Sequence, residues 1–150
     1  MIAMLHGQVA AVDQSGVVLD VSGVGFDVRM PQADLASLHS GQSATVYTSM
    51  AVTQDAITLY GFLSSAEKKM FLQLQKVSGI GPKVALSLLS TLPPDRLARA
   101  VADGDATALV KAPGLGKKGA QKIILELKGS LDLSQVEGAS APAQSPVDTG

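Results

Sequence analysis

Gly79-Ile80-Gly81-Pro82-Lys83-Val84-Ala85 returns 35 residues later as Gly114-Leu115-Gly116-Lys117-Lys118-Gly119-Ala120, with both glycines, one lysine (Lys83 with Lys118) and the alanine in register. Each copy follows one helical stretch and opens another, so the repeated unit reads as a helix, a tight Gly-hydrophobic-Gly turn and a second helix. Glycine suits such a turn because it reaches positive φ cheaply and lets another backbone come close. Ile80 and Leu115 are expected to plug the gap between the paired helices. The helix that starts after each turn exposes unpaired N–H groups and the positive end of its dipole, which together can hold a phosphate. Nothing in the pattern reads a base edge, so the expected ligand is nucleic-acid backbone, bound with little sequence preference. A single Gly-x-Gly between helices is most often only a sharp turn. Two copies in register, each followed by lysine, favour the phosphate, because a plain turn does not require lysine. The backbone-binding set is Gly79, Gly81, Lys83, Gly114, Gly116, Lys117 and Lys118, with Lys122 added from the last helix.

The formal net charge of −1 argues against a polyanion ligand until it is divided along the chain. Residues 1–63 hold one base, Arg29, against five acids, a balance of −4. Residues 64–130 hold eleven bases against five acids, which gives +6, and the last twenty residues hold three acids and no base. The positive field therefore sits on the segment that carries both glycine turns. There is no cysteine, which excludes disulfides, a thiolate zinc site and an iron–sulfur cluster. No long apolar run appears, and Met1-Ile2-Ala3-Met4-Leu5 lacks a basic leader, so a cytoplasmic protein is expected.

Working outward, residues 1–62 read as five strands: Ile2 to Val12, Val17 to Val21, Gly25 to Met30, Ala44 to Val52 and Ile57 to Phe62. From Val24 to Met30 the bulky apolar residues fall at every second place, so one face is expected to be buried. Pro31 to Leu38 reads as a short helix between strands three and four. This pattern predicts a small Greek-key barrel of the OB type over 1–63. Such barrels often bind single strands through stacked aromatics, but Phe26, Tyr47, Tyr60 and Phe62 are the only rings available here, which favours a scaffold. Asp55, between strands four and five, is ordinarily a turn former whose carboxylate bonds a nearby N–H.

From Ser64 the period becomes helical. Ser64-Ser65-Ala66-Glu67 has capping-box spacing, and Met70, Phe71, Leu74 and Val77 lead to the first glycine turn. Further helices are expected from Pro82, from Asp95 to Ala102, from about Asp105, and from Lys117 to about Lys128, so residues 64–130 form a five-helix domain and the fold class is α+β. Residues 131–150 read as a flexible linker or tail.

Catalytic groups are scarce. His6 and His39 lie far apart in sequence, outside any metal-ligand spacing, and Gly116-Lys117 lacks the rest of a phosphate-loop motif. Neither an ATPase activity nor a cofactor is expected. Two rival readings stay open: a repair enzyme built on the same hairpins, and a barrel that binds single strands.

The repeated turns resemble the helix-hairpin-helix DNA-binding motif. The whole order, a barrel ending Leu59-Tyr60-Gly61-Phe62, then Val77 to Lys83, then Pro113 to Lys118, closely resembles the RuvA family over about residues 1–130. RuvA proteins are the DNA-binding subunits of the bacterial Holliday junction branch-migration complex. The resemblance implies a homotetramer, or an octamer on DNA, with four duplex arms of a four-way junction lying along the hairpins. It also implies two protein partners: a hexameric ATPase, RuvB, and the RuvC resolvase. In the family the loop matching Gln54-Asp55 carries two acids and forms an acidic pin at the crossover; here Asp55 is retained and the first acid is replaced by Gln54. Family members continue through the linker into a C-terminal domain that engages the ATPase, and this chain stops within the linker. The expectation is a chain that binds junctions and couples poorly to the motor.

Overall fold

A computed structural model describes residues 1–130; the tail expected over 131–150 lies outside the described residues. The chain divides into two compact units, Met1–Lys68 and a second that begins at Lys69.

The first unit carries strands β1 (Met4–Val12), β2 (Gly16–Val21), β3 (Val24–Arg29), β4 (Ser43–Val52) and β5 (Ile57–Phe62), with the short helix α1 (Gln32–Ala36) between β3 and β4. They close into a barrel in the order β1-β2-β3-β5-β4, the five-stranded OB-type barrel that the sequence predicts. Neighbours run antiparallel except β3 and β5, whose short parallel pairing completes the closure. The turns follow from local chemistry. Asp13 accepts the Ser15 and Gly16 amides, each at 2.8 Å, and so folds β1 onto β2. Ser22 and Gly23, both at positive φ, make the two-residue turn from β2 to β3. Inward side chains such as Val9, Val17, Leu19, Val28 and Val46 fill the interior. A Cβ at Gly61 would run into Val46 and Val28, so β5 needs a glycine there to pass through the packed core.

Two sequence expectations are corrected. The first strand begins at Met4, not Ile2. The alternation from Val24 buries Val28 and Met30 but leaves Val24 56% exposed, because it sits at the turn, paired to Val21, before the strand enters the barrel wall. Tyr60 and Phe62 are buried, and Phe26 and Tyr47 are half-buried, so the barrel presents no open row of rings for stacking bases.

The helices are α2 (Ser65–Gln75), α3 (Pro82–Thr91), α4 (Pro94–Asp103), α5 (Ala106–Leu109) and α6 (Lys117–Leu127). Pro82 and Pro94 open their helices where a missing N–H costs little. Gly104, at φ 70°, ends α4 with its N–H on the carbonyls of Ala100 and Val101. Asp105 then caps α5 by accepting the Ala108 amide at 3.2 Å. Among the described residues no helix is long and apolar enough to cross a membrane.

The capping box at the start of α2 carries a feature absent from the sequence reading. Ser64 Oγ accepts the Glu67 amide at 3.2 Å. The Glu67 carboxyl turns back onto the Leu63 and Ser64 amides and lies against Asp34 of α1, whose Oδ2 accepts the Leu63 amide at 3.1 Å. Both carboxyls are buried. Burial and the neighbouring carboxyl push Glu67 up to about 8, and burial also raises Asp34. The folded chain therefore keeps a proton on Glu67 that the unfolded chain releases near 4.5. The associated stability is complete below that value and is lost as pH rises through about 8. Denaturation midpoints of the wild-type chain are expected to fall across this interval, whereas Glu67→Gln, which retains hydrogen bonding without titrating, flattens the profile. Parallel pH profiles for the two proteins would contradict the shared-proton arrangement.

Candidate nucleic-acid interface

The 35-residue repeat is reproduced in three dimensions. Leu74 and Leu109, Val77 and Ala112, Ile80 and Leu115, Ala85 and Ala120, and Leu88 and Ile123 are all buried as matched pairs. In each hairpin the central apolar residue donates its amide to the residue three places back, Ile80 to Val77 at 3.0 Å and Leu115 to Ala112 at 3.1 Å. Gly79 and Gly114 have φ of 88° and 89°, the left-handed conformation that a side chain resists. As expected, Ile80 and Leu115 plug the hairpins; a Cβ at Gly119 would lie 2.8 Å from Leu115 Cδ1 and 3.8 Å from Ile80 Cδ1.

The second glycine of each turn has a different reason. Gly81 and Gly116 are the N-caps of α3 and α6, with φ of −93° and −90°, which any residue adopts. A Cβ at either would meet nothing within 4 Å. Neither conformation nor internal packing asks for glycine here. What glycine does is leave the helix end bare: no side chain caps α3 or α6. The first-turn amides therefore remain available to an anion, with the positive dipole end behind them. Lys83, Lys117 and Lys118 stand on the same first turns, all three exposed.

Lys122 differs from those three. It is half-buried, and its Nζ donates to the Ser78 carbonyl oxygen, in the first hairpin, at 3.0 Å. Its counterpart in the repeat, Ser87 of α3, donates from Oγ to the Pro113 carbonyl oxygen, in the second hairpin, at 2.8 Å. Ser87 is absent from the set read off the sequence, although counting 35 back from Lys122 reaches it.

The β4–β5 connection is closed by Thr53. Its amide donates to the Ala56 carbonyl at 2.8 Å and its Oγ1 accepts the Ala56 amide at 3.1 Å. Asp55 is exposed, and among the described residues its carboxylate takes no hydrogen bond, so the turn-forming role expected for Asp55 belongs to Thr53. Gln54 is exposed as well. The strands below the tip, Ala51 with Thr58 and Val52 with Ile57, pair only with each other, so the turn ends a two-stranded ribbon. His6 is bonded through Nδ1 to Thr45 Oγ1 at 2.7 Å.

A closed OB-type barrel followed by two hairpins with bare helix ends defines a nucleic-acid-binding protein of the barrel and tandem helix-hairpin-helix class. Comparison with known proteins gives the same division: residues 1–61 match the RuvA N terminal domain and residues 71–128 match the SAM-like helix-hairpin-helix tandem. The chain is 75% identical over 150 residues to the Holliday junction branch migration complex subunit RuvA of Bifidobacterium adolescentis, covering all of this chain and 73% of that relative. It is 67% identical over 153 residues to the protein of the same name from Bifidobacterium longum, covering all of this chain and 74% of the relative. For the one from Thermobifida fusca the identity is 47% over 145 residues, covering 97% of this chain and 72% of the relative. The chain belongs to the RuvA family.

Because Gly81 and Gly116 are free of internal demands, serine at either position separates folding from binding. A serine hydroxyl caps the first turn and is expected to leave stability unchanged or raised by a few tenths of a kcal/mol. The same hydroxyl occupies the donors that would take a phosphate, so Gly81→Ser and Gly116→Ser are expected to weaken DNA binding several-fold. Thermal melts and binding titrations on the same preparations check this; undiminished binding would mean that the helix ends are not the anion sites.

Proposed function

We propose that this chain is a non-catalytic subunit that binds four-way junction DNA and holds it open and planar while a separate ATPase drives branch migration in recombination and repair. The observation that carries the reading is the matched pair of bare helix ends at Gly81 and Gly116, each flanked by lysine, which suits two phosphates of one backbone. The names of its relatives, subunits of a Holliday junction branch migration complex, supply the junction.

In this reading residues 1–63 are the barrel domain and residues 64–130 the DNA-binding domain. Gly79, Gly81, Lys83, Gly114, Gly116, Lys117 and Lys118 hold the backbone. The chain assembles as a homotetramer, or as two tetramers enclosing the junction, works with the RuvB ATPase and RuvC resolvase in the cytoplasm, and hydrolyses no ATP itself. Asp55 supplies the pin. Its exposure and lack of a hydrogen-bond partner among the described residues support a charge directed at something outside the protein.

Gel-shift titration with four-way, duplex and single-stranded DNA, with a cleavage control in magnesium, tests this function. Preference for the four-way substrate without cutting is expected; cutting or base release would favour a repair enzyme, and a single-strand preference would favour the barrel as the binding surface. Lys83→Ala and Lys118→Ala are expected to weaken binding to all sequences alike and to reduce the log-affinity against log-salt slope by about one unit for each phosphate no longer neutralised.

The pin has its own test. Two unit charges a few ångströms apart in water interact by about 1 kcal/mol, so four convergent carboxylates in a tetramer would appreciably oppose the approach of phosphate. Asp55→Asn is expected to leave folding unchanged, since Thr53 closes the turn, while strengthening duplex and junction binding and narrowing the preference between them. Gln54→Glu is expected to widen it. Affinity ratios measured at one salt concentration decide the matter: unmoved ratios in both variants, with tetramers intact, would remove the pin from this chain.

A further inference from the structure

The hydrogen bonds from Lys122 to Ser78 and from Ser87 to Pro113 are one interaction used twice. The donors are 35 residues apart, and so are the acceptors. Each crosses between repeats: α3, which follows the first hairpin, holds the second, and α6, which follows the second hairpin, holds the first. The neighbouring packing crosses in the same sense. Val84, one turn before Ser87, places its Cγ2 3.6 Å from where a Cβ on Gly114 would stand, and a Cβ on Gly119, one turn before Lys122, would lie 3.8 Å from Ile80 Cδ1.

The acceptors sit at a significant place in the chain. The Ser78 carbonyl and the Gly79 amide belong to one peptide plane, as do the Pro113 carbonyl and the Gly114 amide. In a trans peptide the oxygen and the N–H point in opposite directions, and the structure contains no cis bonds among the described residues. Gripping the oxygen from the protein side therefore turns the glycine N–H away from the gripping helix. Gly79 and Gly114 have no side chain to restrict their main-chain rotation, so a peptide held only by its own turn would sample other orientations. A hydrogen bond to the carbonyl also polarises the peptide and strengthens its N–H as a donor, more so from the charged Lys122 than from the neutral Ser87.

We propose that Ser87 and Lys122 are positioning residues: two reciprocal latches, each anchoring the opposite hairpin's carbonyl, that aim the Gly79 and Gly114 amides and fix the spacing of the two phosphate sites. This rests on the reading of the hairpins as backbone-binding sites. It sets Lys122 apart from Lys83, Lys117 and Lys118, because Lys122 holds the protein in the shape that binds. Two sites held at a fixed spacing act on one backbone as a pair, so loosening either latch lowers the combined affinity while every phosphate keeps its partner.

The experiment has one arm without DNA and one with it, both on the full chain. Amide hydrogen exchange of the free protein is compared for wild type, Ser87→Ala and Lys122→Met. The expected pattern is crossed: Ser87→Ala accelerates exchange about five- to ten-fold over residues 112–116, and Lys122→Met does so over residues 77–81, the loss of one hydrogen bond in each case. Ser87→Thr and Lys122→Arg, which retain the donors, restore protection and show that the effect is not general unfolding. Acceleration confined to the hairpin adjoining the substituted helix, or none in either hairpin, overturns the latches whether or not the protein binds DNA. With four-way junction DNA, Ser87→Ala is expected to weaken binding several-fold at an unchanged salt slope, and Lys122→Met to weaken it with a slope change well below the unit expected for Lys118→Ala. A crossed exchange pattern with undiminished affinity overturns the positioning role, as does a full unit of slope lost with Lys122→Met. A wild-type chain that fails to bind junctions would instead defeat the hairpin reading, leaving the exchange arm to decide the latches alone.

Discussion

The first turn of a helix carries amides that its own carbonyls cannot reach, and something else must satisfy them. Side chains satisfy them at α2, capped by Ser64, and at α5, capped by Asp105, while α1 and α4 begin uncapped behind Pro31 and Pro93. At α3 and α6 the chain places glycine instead. Substituting alanine for a good side-chain cap costs about 1 kcal/mol, glycine only a few tenths, so a bare glycine end is tolerated by the fold while remaining open to a ligand. The helical unit is organised to present two such ends. Repeating the helix-turn-helix gives two copies, and the matched burial of Leu74 with Leu109 and Leu88 with Ile123 packs the copies by the same rule. The glycines at positive φ make each turn short enough for its apolar plug to seal it.

Closure by the short β3–β5 pairing leaves the last two pairs of the β4–β5 ladder, Ala51 with Thr58 and Val52 with Ile57, free to extend as a ribbon. A ribbon tip exposed on both faces is a costly place for Val52 and Ile57, which are 63% and 70% exposed. Large apolar side chains on such a tip bury little surface within the barrel unit. With Thr53 holding the turn, the tip's charge is separable from its shape: Asp55 is free to act on whatever approaches.

The amino-acid order makes the barrel, the five helices after it and both hairpins legible, because each rests on local signals: alternation, capping residues, proline at first turns, and a repeat that any register comparison finds. What stays hidden is set by contacts distant in sequence. Asp34 enters only as one formal charge and Glu67 as the far end of a capping box, yet 33 residues apart they meet in a buried pair that retains a proton. Val24 fits the alternating pattern and is nevertheless exposed, because alternation predicts a face and cannot say where the sheet ends. Residue type alone gives the turn to Asp55, whereas Thr53, equally present in the loop, has the geometry. For the site, the glycines and the first-turn lysines are visible as a motif. Charge alone groups Lys122 with them, and only the position of its Nζ against Ser78 distinguishes it.

Net charge is a poor guide to such a protein for a reason the screening length makes plain. At physiological ionic strength, exposed charges farther apart than about 8 Å scarcely feel one another. A phosphate seated at a bare helix end therefore responds to the dipole behind it and to the lysines of that first turn, and hardly to acids elsewhere on the chain. A chain with a formal charge of −1 can thus present a strongly attractive surface for backbone and, at a separate ribbon tip, a repulsive one. In the proposed function the two would act on different parts of the same ligand, the first gripping duplex and the second resisting its advance. Their balance depends on how many charges lie within a screening length of each phosphate. With Gln54 neutral and Asp55 charged, the tip carries one formal charge, and a change there alters only the local, repulsive side of that balance.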